Sequence, residues 1–332
     1  MLANCSSSDK NDAAASTGGS TSAGGAGSQA GNTVFSLIAK SVGHFFVKIT
    51  PTDTTLGTVE GTDITGVVKD GPDLNNYTEA AVSTSNGCTL YKLLAPSCAN
   101  ANGGADCDVS TQVCTATDTC TKLPTKKNVG TVTVSGVQTT TGTSPFALTL
   151  SSNSYLTGGD VSIVYPGVTE GSPVKISASG GDYPAFDATA NGISQLVLGA
   201  SAYKVKAASD LTVTWTPPGS ASDARIQATL NLSHHGGSKG YIACDVADTG
   251  SLTISKDQIS GLINMGVAGF PTLVVTRRST GTAAISAGQV LLSVEASITP
   301  AFSVDGYTSC TKADNSECPT GQTCNQTVKL CE

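Results

Sequence analysis

Charged residues are scarce in this chain. Asp, Glu, Lys and Arg make up 13% of its 332 residues, and the net charge is -7. A globular protein usually carries about twice that charged share, and a surface that binds nucleic acid needs clustered basic side chains opposite the phosphates. Here Lys and Arg occur at most in adjacent pairs such as Lys126-Lys127 and Arg277-Arg278. The sequence therefore predicts no nucleic acid partner.

Long apolar runs and helical patterns are also lacking. The longest apolar stretches, such as residues 289–298, have about half of the ~20 residues that cross a bilayer as a helix. The clearest helical pattern is Lys256 to Met265, because Ser255 precedes it and Gln258 occupies the capping-box position. We therefore expect no transmembrane helix and a chain that folds mainly as strands.

One of the eleven cysteines stands apart from the rest. Cys5 follows Leu2-Ala3-Asn4, and the next cysteine is Cys88. These flanking residues resemble the end of the export signal of bacterial lipoproteins, in which the cysteine is acylated. The resemblance implies that residues 1–5 are the remnant of a lipoprotein signal and anchor. It also implies that a lipid on Cys5 anchors an extracytoplasmic protein to the outer membrane or cell surface of a bacterium. The alternative is an unpaired thiol in a disordered tail.

Residues 6–32 are almost wholly Ser, Gly, Ala, Thr and Asn, with no apolar residue larger than Ala. Such a segment cannot offset the entropy cost of ordering, so it is predicted to be a flexible linker. Its typical reach is roughly 30 Å, from about 5 to 6 Å times the square root of its length.

Short runs rich in β-branched and aliphatic residues recur through most of the remaining chain. They are residues 129–137, 146–150, 161–165, 174–178, 196–198, 211–215, 226–232, 241–246, 252–254, 273–276 and 290–298. Short strands separated by Gly, Pro, Asn and Asp are typical of antiparallel sandwiches. We therefore predict an all-β fold in which residues 126–304 form an antiparallel β-sandwich, Ig-like or jelly-roll-like, and residues 33–97 form an N-terminal β segment that packs on it.

Ten cysteines remain once Cys5 is set aside, and an even number is typical of a disulfide framework. Eight of them form two clusters of similar spacing, Cys98, Cys107, Cys114 and Cys120 in a first unit (98–125) and Cys310, Cys318, Cys324 and Cys331 in a second (305–332). Three pairings are possible in each unit, of which we favour first-to-third and second-to-fourth. Cys88 and Cys244 are then left to pair with each other.

Zinc is the competing use of clustered cysteines. Structural zinc sites usually place their ligands in pairs two to four residues apart, whereas every gap in these clusters holds five residues or more and no histidine is nearby. We predict disulfides, with no metal and no cofactor.

The cysteine spacing and the segment from Glu317 to Cys324 resemble small cysteine-rich repeats of secreted proteins from myxobacteria and their relatives. The stretches 211–216, 242–244 and 248–254 resemble further parts of the same uncharacterised lipoproteins. The resemblance covers about the last two thirds of the chain. It implies a cysteine-rich surface lipoprotein and brings no activity and no catalytic residue.

Motifs for catalysis are weak. His234-His235-Gly236 is similar to a segment of metallo-β-lactamase-type hydrolases, but their upstream His-x-His-x-Asp-His ligand set is missing, so a polar turn is the simpler reading. Gly236 to Gly240 matches Gly-x-Ser-x-Gly, but a serine hydrolase places this pattern on a strand-to-helix elbow with a histidine after it, whereas this match falls in the turn between two predicted strands and no histidine follows. The carboxylate pair of a glycosidase could come from Asp182, Asp187, Asp223, Asp245 and Asp248. The acidic loops Asp70 to Asn76 and Asp245 to Asp248 could hold calcium, although neither has the spacing of a known calcium loop. Turn formation is favoured over calcium for the acidic loops.

Aromatic residues are few, at 5%, and Trp215 is the single tryptophan. Trp215 lies in an alternating run and is predicted to be a core residue. A sugar-binding platform would have to use tyrosines such as Tyr155, Tyr165, Tyr183 or Tyr203.

These features favour a non-enzymatic surface lipoprotein with a structural, adhesive or ligand-binding role in the cell envelope, whose partner is an extracellular protein or polysaccharide. The alternatives are a secreted hydrolase acting on polysaccharide or peptide, and a carbohydrate-binding module.

Overall fold

The computed structural model describes residues 38, 40–52, 59–75, 77–94, 98, 107, 108, 110–115, 119–142, 144–219, 223–233 and 237–332. The predicted lipid site Cys5, the predicted linker 6–32 and the pair His234 and His235 lie outside the described residues.

Strands account for most of the regular structure in the described ranges. The strands are β1 (Gly43–Thr50), β2 (Gly61–Lys69), β3 (Thr78–Ser85), β4 (Cys88–Leu94), β5 (Gln112–Cys114), β6 (Cys120–Lys122), β7 (Lys126–Lys127), β8 (Val132–Ser135), β9 (Phe146–Ala147), β10 (Thr149–Ser151), β11 (Ser154–Leu156), β12 (Pro173–Ala178), β13 (Phe186–Asn191), β14 (Ala202–Val205), β15 (Leu211–Thr214), β16 (Arg225–Asn231), β17 (Gly240–Ala247), β18 (Ser251–Ile254), β19 (Thr272–Ile285), β20 (Gly288–Ile298), β21 (Ala301–Val304), β22 (Cys324–Asn325) and β23 (Leu330–Cys331). Helix α1 (Lys256–Met265) lies between β18 and β19.

The largest sheet has 11 strands in the order β10-β11-β2-β1-β20-β19-β16-β17-β4-β3, and β7 pairs with β2. Its neighbours are antiparallel except for β1 and β20, which run parallel. The small β14–β21 pair is also parallel. The expectation of a purely antiparallel fold is therefore corrected to a large mixed sheet, because a strand from near the start of the chain lies beside one from near its end.

A second layer covers one face of this sheet. The four-stranded sheet β13-β12-β8-β9 packs on β19 and β20, and α1 packs on β4 and β17. Side chains such as Phe45, Val47 and Leu292 are fully buried between the layers, and each burial stabilises the fold by about 1.5–3 kcal/mol. Gly281 marks the closest approach, since a Cβ there would lie 1.8 Å from the carbonyl oxygen of Thr189.

Several strand predictions agree with the structure and others do not. The runs 174–178, 226–232 and 241–246 coincide with β12, β16 and β17, and α1 has the predicted bounds, with the Ser255 hydroxyl accepting from the Gln258 backbone N–H at 3.4 Å. In contrast, 161–165 and 196–198 form only isolated bridges, at Ile163 and Leu198. β19 is much longer than its apolar run, because polar residues that interrupt the run are held in hydrogen bonds and ion pairs on both faces.

Residues 33–97 supply strands at two places in the large sheet. β1 and β2 lie beside β20, whereas β3 and β4 lie on the far side of β17. The segment is thus hydrogen-bonded into the sheet as four of its strands.

Five disulfides join the ten cysteines from Cys88 onward. Cys88 and Cys244 lie directly opposite each other on β4 and β17 and are bonded. The other bonds are Cys98–Cys114, Cys107–Cys120, Cys310–Cys324 and Cys318–Cys331, which is the order favoured from the sequence. Sulfurs in each unit approach within 4.8 Å, but they are bonded to one another rather than available as thiolate metal ligands. Such a framework indicates an extracellular or periplasmic protein.

No helix in the described ranges has the length and apolarity that a bilayer-spanning helix needs.

Candidate functional site

The carboxylates that a glycosidase could have used are each engaged with protein groups. Asp182 accepts from the Asn128 backbone N–H, Asp187 pairs with Lys175, Asp223 accepts from Asn191, Asp245 pairs with Arg225, and Asp248 pairs with Arg277. These bonds belong to different parts of the fold. The five carboxylates therefore belong to separate structural contacts.

The carboxylates of the acidic loop after β2 are bound by other residues of the protein. The Asp70 carboxylate accepts from the backbone N–H and hydroxyl of Thr125, and Lys127 lies 3.3 Å away. The hydrogen bond from the Thr125 hydroxyl, followed by that from the Thr125 backbone N–H and by the Lys127 cation, lowers the pKa of Asp70 to about 2. Asp73 pairs with Lys69. These contacts hold the loop in place and explain both carboxylates, in line with the prediction that the loop forms a turn.

Trp215 is a core residue, as its alternating run predicts, with 4% of its surface exposed. Its indole N–H donates to Asp248 Oδ1 at 2.6 Å, and Asp248 also pairs with Arg277 at 2.6 Å. The side chains of Asp248 and Arg277 are 2% and 1% exposed. Arg277 further donates to backbone carbonyls of Ser194, Gln195 and Thr216. Every charge in this network is therefore paired, as burial requires.

Tyr155 does not belong to a sugar-binding platform. Its ring is fully buried, and its hydroxyl accepts from the Val129 backbone N–H at 2.8 Å and contacts Asn128 and Gly130. Tyr165, Tyr183 and Tyr203 are half-buried. A stacked pair that the sequence did not single out is formed by Tyr91 and Tyr241, whose ring centroids are 5.2 Å apart.

The face of the large sheet opposite the second layer, called the outer face below, carries a row of charges. Its members, one from each of five adjacent strands, are Arg225, Arg278, Glu295, Lys48 and Asp63. Side chains alternate between the faces of a strand, so residues that are neighbours in this register share the outer face. Arg278 and Glu295 form an ion pair at 2.6 Å.

Next to this row lies a hydrogen-bonded group centred on Ser293. Its hydroxyl lies 2.7 Å from His44 Nε2 and 3.4 Å from the Thr280 hydroxyl. Burial, followed by the nearby Arg278 and Lys48 cations, lowers the pKa of His44 to about 3, so the ring is neutral near pH 7. The pair resembles a serine nucleophile with its base, but Ser293 has no exposed surface, so a substrate has no access to its hydroxyl in this conformation.

On the other side of the row the outer face is again polar. The hydroxyls of Thr276 and Ser297 lie 2.8 Å apart, and Arg225 donates to both the carboxylate and the backbone oxygen of Asp245. Gln227 is 4% exposed. The outer face is thus a rigid array of donors and acceptors with the two signs of charge interspersed.

Described residues line at least two cavities. The larger, about 450 Å³, is bordered by residues such as Gly136, Gln138 and Thr139. The smaller, about 300 Å³, lies between β21, the loop that follows α1 and the second cysteine-rich unit. We call it the second-unit cleft. The lining of both cavities holds no carboxylate and no histidine.

The outer-face row was not found from the sequence, although a signal for it exists. His44-x-Phe46-x-Lys48 in β1 and Ser293-x-Glu295-x-Ser297 in β20 alternate polar or aromatic residues with apolar ones. That alternation identifies one polar face per strand. It does not give the order of strands that brings those faces together.

No protein family model matches the chain, and no curated protein matches it significantly.

Proposed function

We propose that the protein is a non-enzymatic lipoprotein anchored through Cys5 to the outer membrane or surface of a bacterial cell, with a structural, adhesive or ligand-binding role in the envelope. In this proposal the residues after Cys5 are a tether, and the two packed layers are a β-sandwich of the kind found in surface modules. The proposal also places the chain with the cysteine-rich lipoproteins of myxobacterial type that its repeats resemble.

The observation that carries the proposal is the cysteine count. The chain has eleven cysteines, and five disulfides use ten of them, so Cys5 is the one cysteine that these disulfides do not use. Acylation gives this thiol a function that disulfide formation does not.

Mass spectrometry of the protein recovered from membranes of its producing cells tests the anchor. We expect a diacyl or triacyl mass on the peptide that contains Cys5, and we expect Cys5→Ser to move the protein from the membrane to the soluble extracytoplasmic fraction. A matched pair of substitutions, Ser6→Cys in the Cys5→Ser background, controls for a thiol at a neighbouring position. An unmodified Cys5 in membrane-derived protein would contradict the anchor.

A further inference from the structure

The C-terminal segment 325–332 holds the loop that follows α1. The Gly269 N–H donates to the Val328 carbonyl oxygen at 2.6 Å. Gly269 is buried at this contact, and a Cβ at its position would lie 2.0 Å from the carbonyl oxygen of Lys329. The segment and the loop therefore meet backbone to backbone, at a distance that only a residue without a side chain allows.

The backbone is unfavourable on both sides of this contact. Phe270 in the loop and Lys329 in the segment both have φ 56°, a left-handed value that is uncommon for such residues. The Phe270 N–H donates to the Ser309 hydroxyl at 2.9 Å. The Lys329 N–H donates to the Asn325 oxygen at 2.7 Å, and the Lys329 oxygen accepts from the Cys310 N–H at 3.0 Å. Such conformations persist only where the surrounding structure imposes them, so release of the segment favours a rearrangement of the loop.

One disulfide closes the segment. Its single cysteine, Cys331, is bonded to Cys318, and beyond Cys324 the chain has no other covalent attachment. Cys318 and Cys331 are partly exposed, whereas Cys310 and Cys324, which form the other bond of the unit, are 1% and 9% exposed. A thiolate must reach a sulfur to cleave a disulfide. Within the second unit, the bond that closes the segment is thus the more accessible one.

We propose that the Cys318–Cys331 disulfide is a redox switch that controls the second-unit cleft. The reductant is a dithiol: the S–S bond breaks, each sulfur gains an electron and a proton, and the dithiol closes to its own disulfide. Segment 325–332 is then held by hydrogen bonds and packing alone, so the loop after α1 is no longer fixed by Val328.

Release of the segment changes the cleft without unfolding the large sheet. The cleft is lined by the loop, through Val267, Ala268 and Pro271, and by Leu330 of the segment. Its walls separate when the segment leaves the loop. The 11 strands of the large sheet include no residue of the loop or the segment, so the sheet remains intact. This inference does not depend on lipid at Cys5.

Amide hydrogen exchange of the full-length protein, followed by NMR, tests the switch. The double variant Cys318→Ser/Cys331→Ser opens the segment and leaves no thiol from this bond. We expect its Gly269 amide to exchange roughly tenfold faster than in the wild type, or more, while the slowly exchanging amides of β16 and β19 keep their wild-type rates.

The first cysteine-rich unit supplies the matched control. Cys107→Ser/Cys120→Ser removes the corresponding second-to-fourth bond and should leave the Gly269 rate unchanged. An unchanged Gly269 rate in the folded second-unit variant would overturn the switch, as would an equal acceleration in both double variants.

A titration of the wild-type protein with dithiothreitol tests the redox step without a substitution, and it decides the question if the second-unit variant does not fold. After acid quenching and alkylation, mass spectrometry identifies the reduced cysteines. We expect Cys318 and Cys331 to be alkylated at lower dithiol concentrations than Cys310 and Cys324, with faster Gly269 exchange over the same range. Reduction of the buried bond first, or reduction of Cys318–Cys331 without faster Gly269 exchange, would refute the switch.

Discussion

Arg277 and Arg278 are adjacent in β19, yet they lie on opposite faces of the large sheet. Arg277 faces the second layer, is 1% exposed, and joins Asp248 to backbone carbonyls from three other residues. Arg278 lies on the outer face, pairs with Glu295 on the neighbouring strand β20, and is 12% exposed. The inward arginine thus links distant segments, whereas the outward one links two strands that are already hydrogen-bonded. The same residue type therefore contributes differently to the fold on the two faces.

The largest loss of stability is expected when the buried network around Arg277 loses the Asp248 carboxylate. Asp248→Ala leaves the Arg277 charge buried without its partner, and removing one member of a buried pair costs about 3–5 kcal/mol of unfolding free energy. Urea unfolding of the variant measures the loss. Asp248→Asn is the control, because it keeps the volume and the acceptor for the Trp215 N–H and should cost less. If Asp248→Ala cost no more than an outer-face substitution, the contrast between the faces would be wrong.

A smaller effect is expected on the outer face. Glu295→Gln removes the charge that pairs with Arg278 but keeps the length of the side chain. Because Arg278 lies nearer to solvent, the loss should be about 1.5–3 kcal/mol, the range for a hydrogen bond to a charged group. Equilibrium unfolding of Glu295→Gln beside Asp248→Ala measures the difference. Equal losses in the two variants would show that depth in the fold does not separate the two ion pairs.

The outer face also predicts a pH dependence through His44. Its ordinary pKa is 6.5 and its folded pKa is about 3. Below pH 6.5 the unfolded chain binds a proton that the folded protein excludes, so stability is full above this pH and falls as pH decreases towards 3. The slope approaches about 1.4 kcal/mol per pH unit for one such proton. Unfolding free energies at pH 7.5, 6 and 5 measure it.

The variant His44→Gln is the control for this pH effect. Glutamine can still hydrogen-bond Ser293 but does not titrate, so the difference between the wild type and His44→Gln should shrink as pH falls from 6.5 to 5. Carboxylates titrate mostly below that window, and their contribution is common to both proteins. A difference that stays constant with pH would contradict a neutral, buried His44.

Part of this comparison could be predicted from the sequence. Alternation predicts that adjacent residues such as Arg277 and Arg278 point to opposite faces, and it located β16, β17 and β20 well. It could not say which arginine is buried, because that depends on which layer covers β19. The outer-face row depends on the register of β1 with β20, two strands separated by more than two hundred residues. Pairing at such a distance leaves no local pattern.

The cysteines were more predictable than the side-chain networks. Two clusters of four cysteines with similar gaps have few possible pairings. Because the clusters use eight of the ten cysteines from Cys88 onward, Cys88 and Cys244 are left to bond with each other. The Phe270 backbone conformation illustrates the opposite case. Its positive φ is held by hydrogen bonds that the Gly269 and Phe270 N–H groups donate to a separate unit of the chain, and no residue type in the loop marks it.

The smallest effect is expected for an ion pair on the solvent-exposed surface. Lys175 and Asp187 pair across β12 and β13 at 2.9 Å, and their side chains are 41% and 58% exposed. In an exposed ion pair, the loss of side-chain entropy and the screening by solvent and salt cancel most of the electrostatic attraction. The urea midpoint of Lys175→Ala should therefore equal that of the wild type within experimental error. Asp187 keeps a low pKa mainly through a hydrogen bond with Ser177, with Lys175 second, so the carboxylate stays solvated and charged. A loss as large as that of Glu295→Gln would show that exposure does not rank these ion pairs.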